Sequence, residues 1–424
     1  MEYEKYIRPR YIYLISTIYC VVLLFVYQVQ FSGDSQSYIS AWEIFKNGSI
    51  DMWRTPVYPF FLGVLNTLFG DAHYLLIAVI IQHIVFLISV RYLYLLAKDV
   101  IKSEIIPFFL TAFYALYPCV QTYNCFVQTE TFAVVGTIFF LFSAFRLYKD
   151  EKKKHGIATF FWLLFLVFLR PSSIYLIPIM ILFWSWVYIK NRIIVNPSLW
   201  FGFVGCILVG IVLSVYVVGF KRSYGLLTPS GIGIINKYCI ARQACIIEPM
   251  VSSDVYRENN FKGCVFDHEV AKTMPEVFYE SECAISEFGL KEFSDYVSNS
   301  ISQNKFSYIK RLFVNVQRSS ADRLLGTALP ESTRWDVITV NLSFLFLLFI
   351  IYIILLIKSI KRKRIPCFSM LICIIALSHM FVIFFASPDD YSRLTIPVYP
   401  IFLIMIGQMI RLVNVYKSPN IEFL

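Results

Sequence analysis

Charge is what this chain has least of. Only 16% of its 424 residues are Asp, Glu, Lys or Arg, against 58% hydrophobic. A soluble domain of this length cannot combine so little charge with so much Phe, Ile, Leu and Val, which leaves a polytopic membrane protein. Other absences narrow the class. There is no CxxC pair and no Cys/His spacing of the kind a zinc module needs. No internal repeat or low-complexity tract is present. The first apolar run, about 11–30, ends in Val29-Gln30-Phe31 rather than in small residues, so it lacks a signal-peptidase site and reads as a retained first helix. The net charge of +10 sits largely in basic runs between apolar spans, Lys152-Lys153-Lys154 and Lys361-Arg362-Lys363-Arg364. That placement reads as anchoring on the cytoplasmic side, not as a nucleic-acid footprint.

What is present is an all-α polytopic pattern. Ten spans fit the hydropathy, at roughly 11–30, 73–96, 104–119, 126–147, 157–170, 172–189, 199–220, 336–357, 366–386 and 394–415. With both termini inside, every inner connection is basic: Lys98 and Lys102, Arg146 to Lys154, Lys190 and Arg192, the KRKR run, and Arg411 with Lys417. Shifting the register by one helix would put KRKR outside, against the positive-inside rule. Three regions result: an N-terminal transmembrane module 1–220 with a first outer loop 31–72, an extracytoplasmic loop domain 221–335, and C-terminal transmembrane helices 336–424. Within the loop domain, Phe293, Val297, Ile301, Ile309, Leu312, Phe313 and Val316 recur at helical spacing over 290–325. The loop domain therefore reads as a small helical cap over the mouth of the membrane domain. Its four cysteines, Cys239, Cys245, Cys264 and Cys283, suffice for two disulfides in any of three pairings. Asn47-Gly48-Ser49 is a glycosylation triplet on the outer side.

The outer loop 31–62, FSGDSQSYISAWEIFKNGSIDMWRTPVYPFFL, carries charge where insertion gains nothing from it. Two readings stay open for Asp34. It is an N-cap for a helix beginning at Ser35, or a chemical group sharing a helix face with Tyr38. Glu130 lies just inside the outer end of the fourth span, where an ionisable residue is costly and is a functional candidate by default. Arg54, Arg170 and Arg393 stand at outer membrane ends, against the usual charge bias, so each needs a carboxylate or an anionic ligand. Two acids and three arginines on one rim suit a phosphate and a hydroxyl.

The order Asp34, Tyr38, Arg54-Thr55-Pro56-Val57-Tyr58-Pro59, then Phe69-Gly70, resembles the first outer loop of GT-C glycosyltransferases. It is closest to their protein O-mannosyltransferase and aminoarabinose-transferase-like branch. Tyr117-Pro118 with Gln128-Thr129-Glu130-Thr131 is similar to that family's second acidic position. Arg170-Pro171-Ser172 and Tyr391-Ser392-Arg393-Leu394-Thr395-Ile396-Pro397 resemble its later motifs. The likeness covers the membrane core, about two-thirds of the chain, and leaves 221–335 uncovered. It implies transfer of a sugar from a polyprenyl-phosphate donor to an acceptor hydroxyl of a lipid, glycan or protein on the outer face of the bilayer. It further implies Asp34 as catalytic base, with Glu130 orienting a substrate or raising the basicity of Asp34. Arg393, Arg54 and Arg170, in that order, would hold the phosphate with Tyr391. Tyr38 and Tyr58 would lie on the substrate side. One base and a phosphate leaving group imply inversion. No metal signature is present, and a divalent metal held by the acids stays open. A composition rich in Ile, Phe and Lys and poor in Ala points to a bacterial inner membrane. Two alternatives stand beside this reading. One is a glycan polymerase or ligase using Lys221, Arg222, Lys237 and Arg242 of the loop. The other is a transporter or lipid flippase, for which mid-span His83 is the best residue.

Overall fold

The computed structural model describes residues 9–190, 197–250, 274–319, 350–354, 357, 367–388 and 391–417. Among these residues the chain is helical, with one isolated parallel bridge, Gln30 to Phe126. The helices of the first half are α1 (Pro9–Tyr27), α2 (Ser35–Lys46), α3 (Val57–Phe69), α4 (Tyr74–Ile101), α5 (Ile105–Leu116), α6 (Pro118–Gln121), α7 (Glu130–Asp150) and α8 (Lys153–Leu169). Then come α9 (Leu176–Lys190), α10 (Pro197–Tyr224), α11 (Ile232–Gln243), α12 (Met274–Phe288), α13 (Leu290–Gln303) and α14 (Lys305–Ser319). The last three are α15 (Cys367–Ala386), α16 (Tyr391–Thr395) and α17 (Tyr399–Lys417).

Seven helices among the described residues are long and apolar enough to cross a bilayer. Of the other expected spans, 104–119 contains only the 12-residue α5, and 157–170 belongs to the 17-residue α8, which starts four residues earlier. The expected span 336–357 lies almost wholly outside the described residues. The polytopic membrane character stands.

Helix α7 is the hub, packed by α4 and α8 along its length and buried on nearly every face. By contrast α1 and α10 leave Phe25, Val26, Ile211 and Val215 uncovered, the pattern of helix faces that meet lipid. The connections expected on the inner side collect at one end of the bundle. Asp99 at the end of α4 pairs with Arg146 (3.0 Å) and Lys149 (2.9 Å) of α7, Lys98 pairs with Glu104 (2.6 Å), and Arg411 of α17 donates to the Ile101 carbonyl (2.7 Å).

At the opposite end, α11 to α14 form a second, smaller core around Tyr238, Ile285, Phe293, Val297 and Leu312. The periodic stretch 290–325 is not one helix. It breaks at Asn304, and Ile309 and Phe313 turn outward while Phe293, Val297 and Leu312 are buried. Phe313 rests on Phe384 of α15 (centroids 5.3 Å apart), while Met52 and Trp53 of the first outer loop pack on the same core, so the cap sits on the bundle mouth. No disulfide joins Cys239, Cys245 and Cys283 to one another, and Cys264 lies outside the described residues.

Candidate functional site

The Asp34 pole begins with a pairing that local sequence does not announce. After α1, the Gln30 amide donates to the Cys125 carbonyl (2.8 Å) and the Val127 amide donates to the Gln30 carbonyl (3.0 Å). This stitch joins the segment leading to Asp34 with the one leading to Glu130. Asp34 then occupies the N-cap position of α2 but does not cap it with its side chain. Its two oxygens instead accept from Arg54 Nη2 (2.6 Å) and Arg393 Nη1 (2.9 Å). Charge-assisted bonds outbid a neutral amide cap. Arg54 is gripped further, since its Nε donates to Ser37 Oγ (2.7 Å) and its guanidinium lies 4.2 Å from the Tyr38 ring centroid. The buried Asp51 carboxylate accepts the amides of Trp53 and Arg54, a local turn that aims Arg54 inward. Gly63 lets α3 close onto α2, because a Cβ there would strike the Trp42 ring.

The Glu130 pole is the first turn of α7, where a carboxylate also meets the positive end of the helix. Its side chain is 3% exposed and lies 3.6 Å from both Arg170 and Arg393. Arg393 therefore bridges the two acids. Burial pushes the Asp34 carboxyl up, but the Arg54 and Arg393 guanidiniums beside it outweigh that and hold it well below the usual carboxylate range. The expectation that Glu130 would raise Asp34 is corrected, because arginines stand between the two acids.

Asp34, Glu130, Arg54, Arg170 and Arg393 line one cavity of about 530 Å³. Its far wall comes from the cap: Thr228, Pro229, Ser230, Ile232, Gly233, Asn236 and Phe278. Ser230 is seated there by its hydroxyl, which donates to the Trp53 carbonyl (3.0 Å). These cap residues escape sequence reasoning because a Thr-Pro-Ser-Gly turn in a loop carries no chemistry of its own. Ser37 and the Gln30–Phe126 stitch were missed for the same reason. Tyr38 lines the cavity and its hydroxyl lies 3.5 Å from that of Thr129. Tyr58 does not line it. Tyr58 is 1% exposed, donates to Gln82 (2.8 Å) and packs edge-on beneath Tyr38. Tyr391 opens α16, and its side chain lies outside the described residues. Arg242, named for a basic cluster, is turned into the cap core against Glu280 (3.1 Å). Buried His83 faces Cys125 (3.6 Å) and does not line the cavity.

Among the described residues the donor set does not fit a divalent cation. Asp34 and Glu130 are each engaged by two arginines, and no group of three or more His, Cys, Asp or Glu clusters among the described residues. Among the described residues lining the cavity, three arginines face these two carboxylates. The arrangement can take up an anion and present a carboxylate beside it.

A second hollow adjoins. Thr55 and Leu169 line the charged cavity, and their chain neighbours Pro56, Val57 and Phe168 line an apolar groove of about 640 Å³ between α3, α8 and α10. Thr55 Oγ1 donates to the Leu169 carbonyl (3.2 Å) where the two meet.

No family model and no curated protein matches the chain. Solved structures do. An archaeal oligosaccharyltransferase, AglB from Archaeoglobus fulgidus in complex with an inhibitory peptide and a dolichol-phosphate, is 13% identical with a TM-score of 0.51, and the match covers 97% of this chain and 50% of that one. The A. fulgidus oligosaccharyltransferase in its apo form matches at TM-score 0.51 and 11% identity, over 97% of this chain and 51% of that one. The same enzyme tethered to an acceptor peptide containing the NVT sequon matches at 0.50 and 12%, over 96% and 50%. The chain thus spans about half the length of these structures. At such identity the likeness is one of fold alone.

Proposed function

We propose that this chain is a membrane glycosyltransferase that moves a sugar from a polyprenyl-phosphate-linked donor to an acceptor hydroxyl on the extracytoplasmic side. The observation that carries the reading is the convergence of Asp34, Glu130, Arg54, Arg170 and Arg393 in one cavity beside an apolar groove. A lipid phosphate has two incompatible ends, and this pair of hollows matches both. The isoprenoid tail lies along Phe60, Phe161, Phe165 and Phe168 while the phosphate meets the arginines. The solved structures of similar fold bind a dolichol-phosphate and an acceptor peptide, which accords with a lipid-linked donor.

The arginines divide the labour. Arg54 is held on three sides and serves Asp34. Arg170 lines the cavity and meets Glu130 only at 3.6 Å, beyond hydrogen-bond range, so it is held less firmly than Arg54. Arg170 and Arg393 are therefore the phosphate-binding pair, which reorders the sequence ranking.

In the reaction the acceptor oxygen attacks the anomeric carbon as the bond from that carbon to the phosphate oxygen breaks. The phosphate leaves with the electron pair onto Arg170 and Arg393, and the hydroxyl proton passes to Asp34. Phosphate binding competes with Asp34 for Arg393. It thereby loosens the grip that keeps Asp34 a weak base, arming it once the donor is in place. A single displacement inverts the anomeric carbon. Glu130 holds Arg170 and Arg393 in register and accepts from sugar hydroxyls.

The test is turnover of polyprenyl-phosphate sugars by the purified protein, with the anomeric configuration of the product read by NMR. Transfer with inversion supports the reading. Absence of turnover with every lipid sugar, accompanied by substrate flux across vesicles, sinks it in favour of transport.

A further inference from the structure

We propose that His379 is a positioning residue that braces the two phosphate-binding arginines against each other. The inference rests on the phosphate role assigned above and goes beyond it by naming the part that sets their spacing. His379 stands on α15, 3% exposed, and touches neither carboxylate. Its Nε2 lies 3.0 Å from the Leu394 carbonyl, and its Nδ1 lies 3.0 Å from the Tyr175 hydroxyl. A carbonyl only accepts, so Nε2 carries the proton. Nδ1 of the neutral ring is then the acceptor and Tyr175 the donor. Both hydrogen bonds dictate the same tautomer, and both ring nitrogens are spent.

The two partners sit where a brace is needed. Leu394 directly follows Arg393. Tyr175 closes the turn that begins at Arg170, a single 3₁₀ turn at Pro171–Ser173. Arg170 is the C-cap of α8, and its amide still donates to the Leu166 carbonyl (3.0 Å). Its backbone is extended, φ −144° and ψ 118°, so the helix ends there and the turn beyond it needs another support. Arg393 rides on the five-residue α16. One arginine stands at the frayed end of a helix and the other on a short one, and one ring ties both following segments to the long helix α15. Both arginines then reach the same Glu130 oxygen at 3.6 Å. The Tyr175 ring also packs on the imidazole, centroids 5.7 Å apart, which fixes the ring plane.

The experiment uses the full chain in lipid nanodiscs and measures binding of farnesyl monophosphate, with farnesol as the uncharged control. Affinity for the alcohol reports the groove and the integrity of the fold, and the ratio of the two affinities reports the arginine pair. Tyr175→Phe, which loses one well-placed hydrogen bond, should weaken farnesyl phosphate about 10-fold, and His379→Leu, which loses both, at least as much. Farnesol binding should stay unchanged. The double variant should be no weaker than the worse single one, since either change opens the same brace. His379→Gln keeps an N–H near the Nε2 position and should recover most of the affinity. Unchanged phosphate affinity in variants that still bind farnesol overturns the inference, as does an equal loss for both probes or a wild type that does not prefer the phosphate. Brace-dependent phosphate binding in a protein that turns over no lipid-linked sugar sinks the transferase reading and keeps the brace.

Discussion

Two acid–arginine networks in this molecule use the same chemistry to opposite ends. In the cap, Glu280 and Arg242 are 1% and 3% exposed and paired with each other, beside the Tyr238 hydroxyl and the Ile247 carbonyl, which accepts from Arg242 (3.1 Å). At the bundle mouth, Asp34 is 33% exposed and shares Arg54 and Arg393, which are 13% and 20% exposed, across an open cavity. Burial wins at Glu280 and pushes its carboxyl up even with Arg242 beside it, while at Asp34 two arginines win and hold the carboxyl down. A buried pair walled off from the cavity is a structural element. A cluster open to the cavity is poised to trade partners with a ligand. The difference lies in burial and access, not in residue type.

Breaking each network should therefore damage a different property. Asp34→Asn keeps the shape and removes the proposed base, so kcat should fall about 10²–10⁴-fold, with a smaller fall in melting temperature from the lost pairing with Arg54 and Arg393. Full activity in the folded variant would remove Asp34 from the base role. Glu280→Ala strands a buried guanidinium and should cost about 3–5 kcal/mol of cap stability, measured by chemical denaturation. Those molecules that fold should keep their kcat. A catalytic loss without destabilisation would show that the two networks are not distinct. Arg170→Ala should lower kcat/KM for the donor about 100-fold while leaving acceptor KM alone, and an effect on the acceptor instead would reassign it.

The smallest effect is the most discriminating, because acid should act on the two networks with opposite sign. Asp34 titrates below its ordinary 3.8 in the fold, so its pairing stabilises fully above about pH 3.8 and that stability is lost as pH falls further, through the depressed value. Glu280 titrates above its ordinary 4.5, so its contribution is present below 4.5 and lost as pH rises through the raised value. Comparing the pH dependence of melting for wild type, Asp34→Asn and Glu280→Gln tests both signs. Matching slopes would erase the contrast.

How much of this was legible along the chain depends on the range of the interaction. The apolar runs and the end of the bundle at which each charge gathers could be read directly, as could the five charged residues of the site. The N-cap reading of Asp34 was half correct. The backbone does start α2 there, but Arg54 twenty residues on and Arg393 a further 339 residues on claim the carboxylate. Tyr58 carried the same motif as its neighbours and yet faces the core, because α3 rotates it under Tyr38 onto Gln82. The helical spacing over 290–325 did not show the break at Asn304, where the chain turns to close the cap core. The cap wall at Thr228 to Asn236 was invisible, since its role comes only from where α11 lands.

Hydropathy and charge placement act residue by residue through transfer between water and lipid, so the sequence by itself determined a multi-span membrane protein with the five charged residues of the candidate site toward one end. Which arginine serves which carboxylate was decided by tertiary structure alone. A guanidinium fork reaches only a few ångströms, and whether Arg393 lies beside Asp34 depends on how α7, α8 and α15 pack between them. The same holds for His379, an apolar-helix histidine with no local signal. It acquires a role only because folding carries Tyr175 and Leu394 to its two nitrogens.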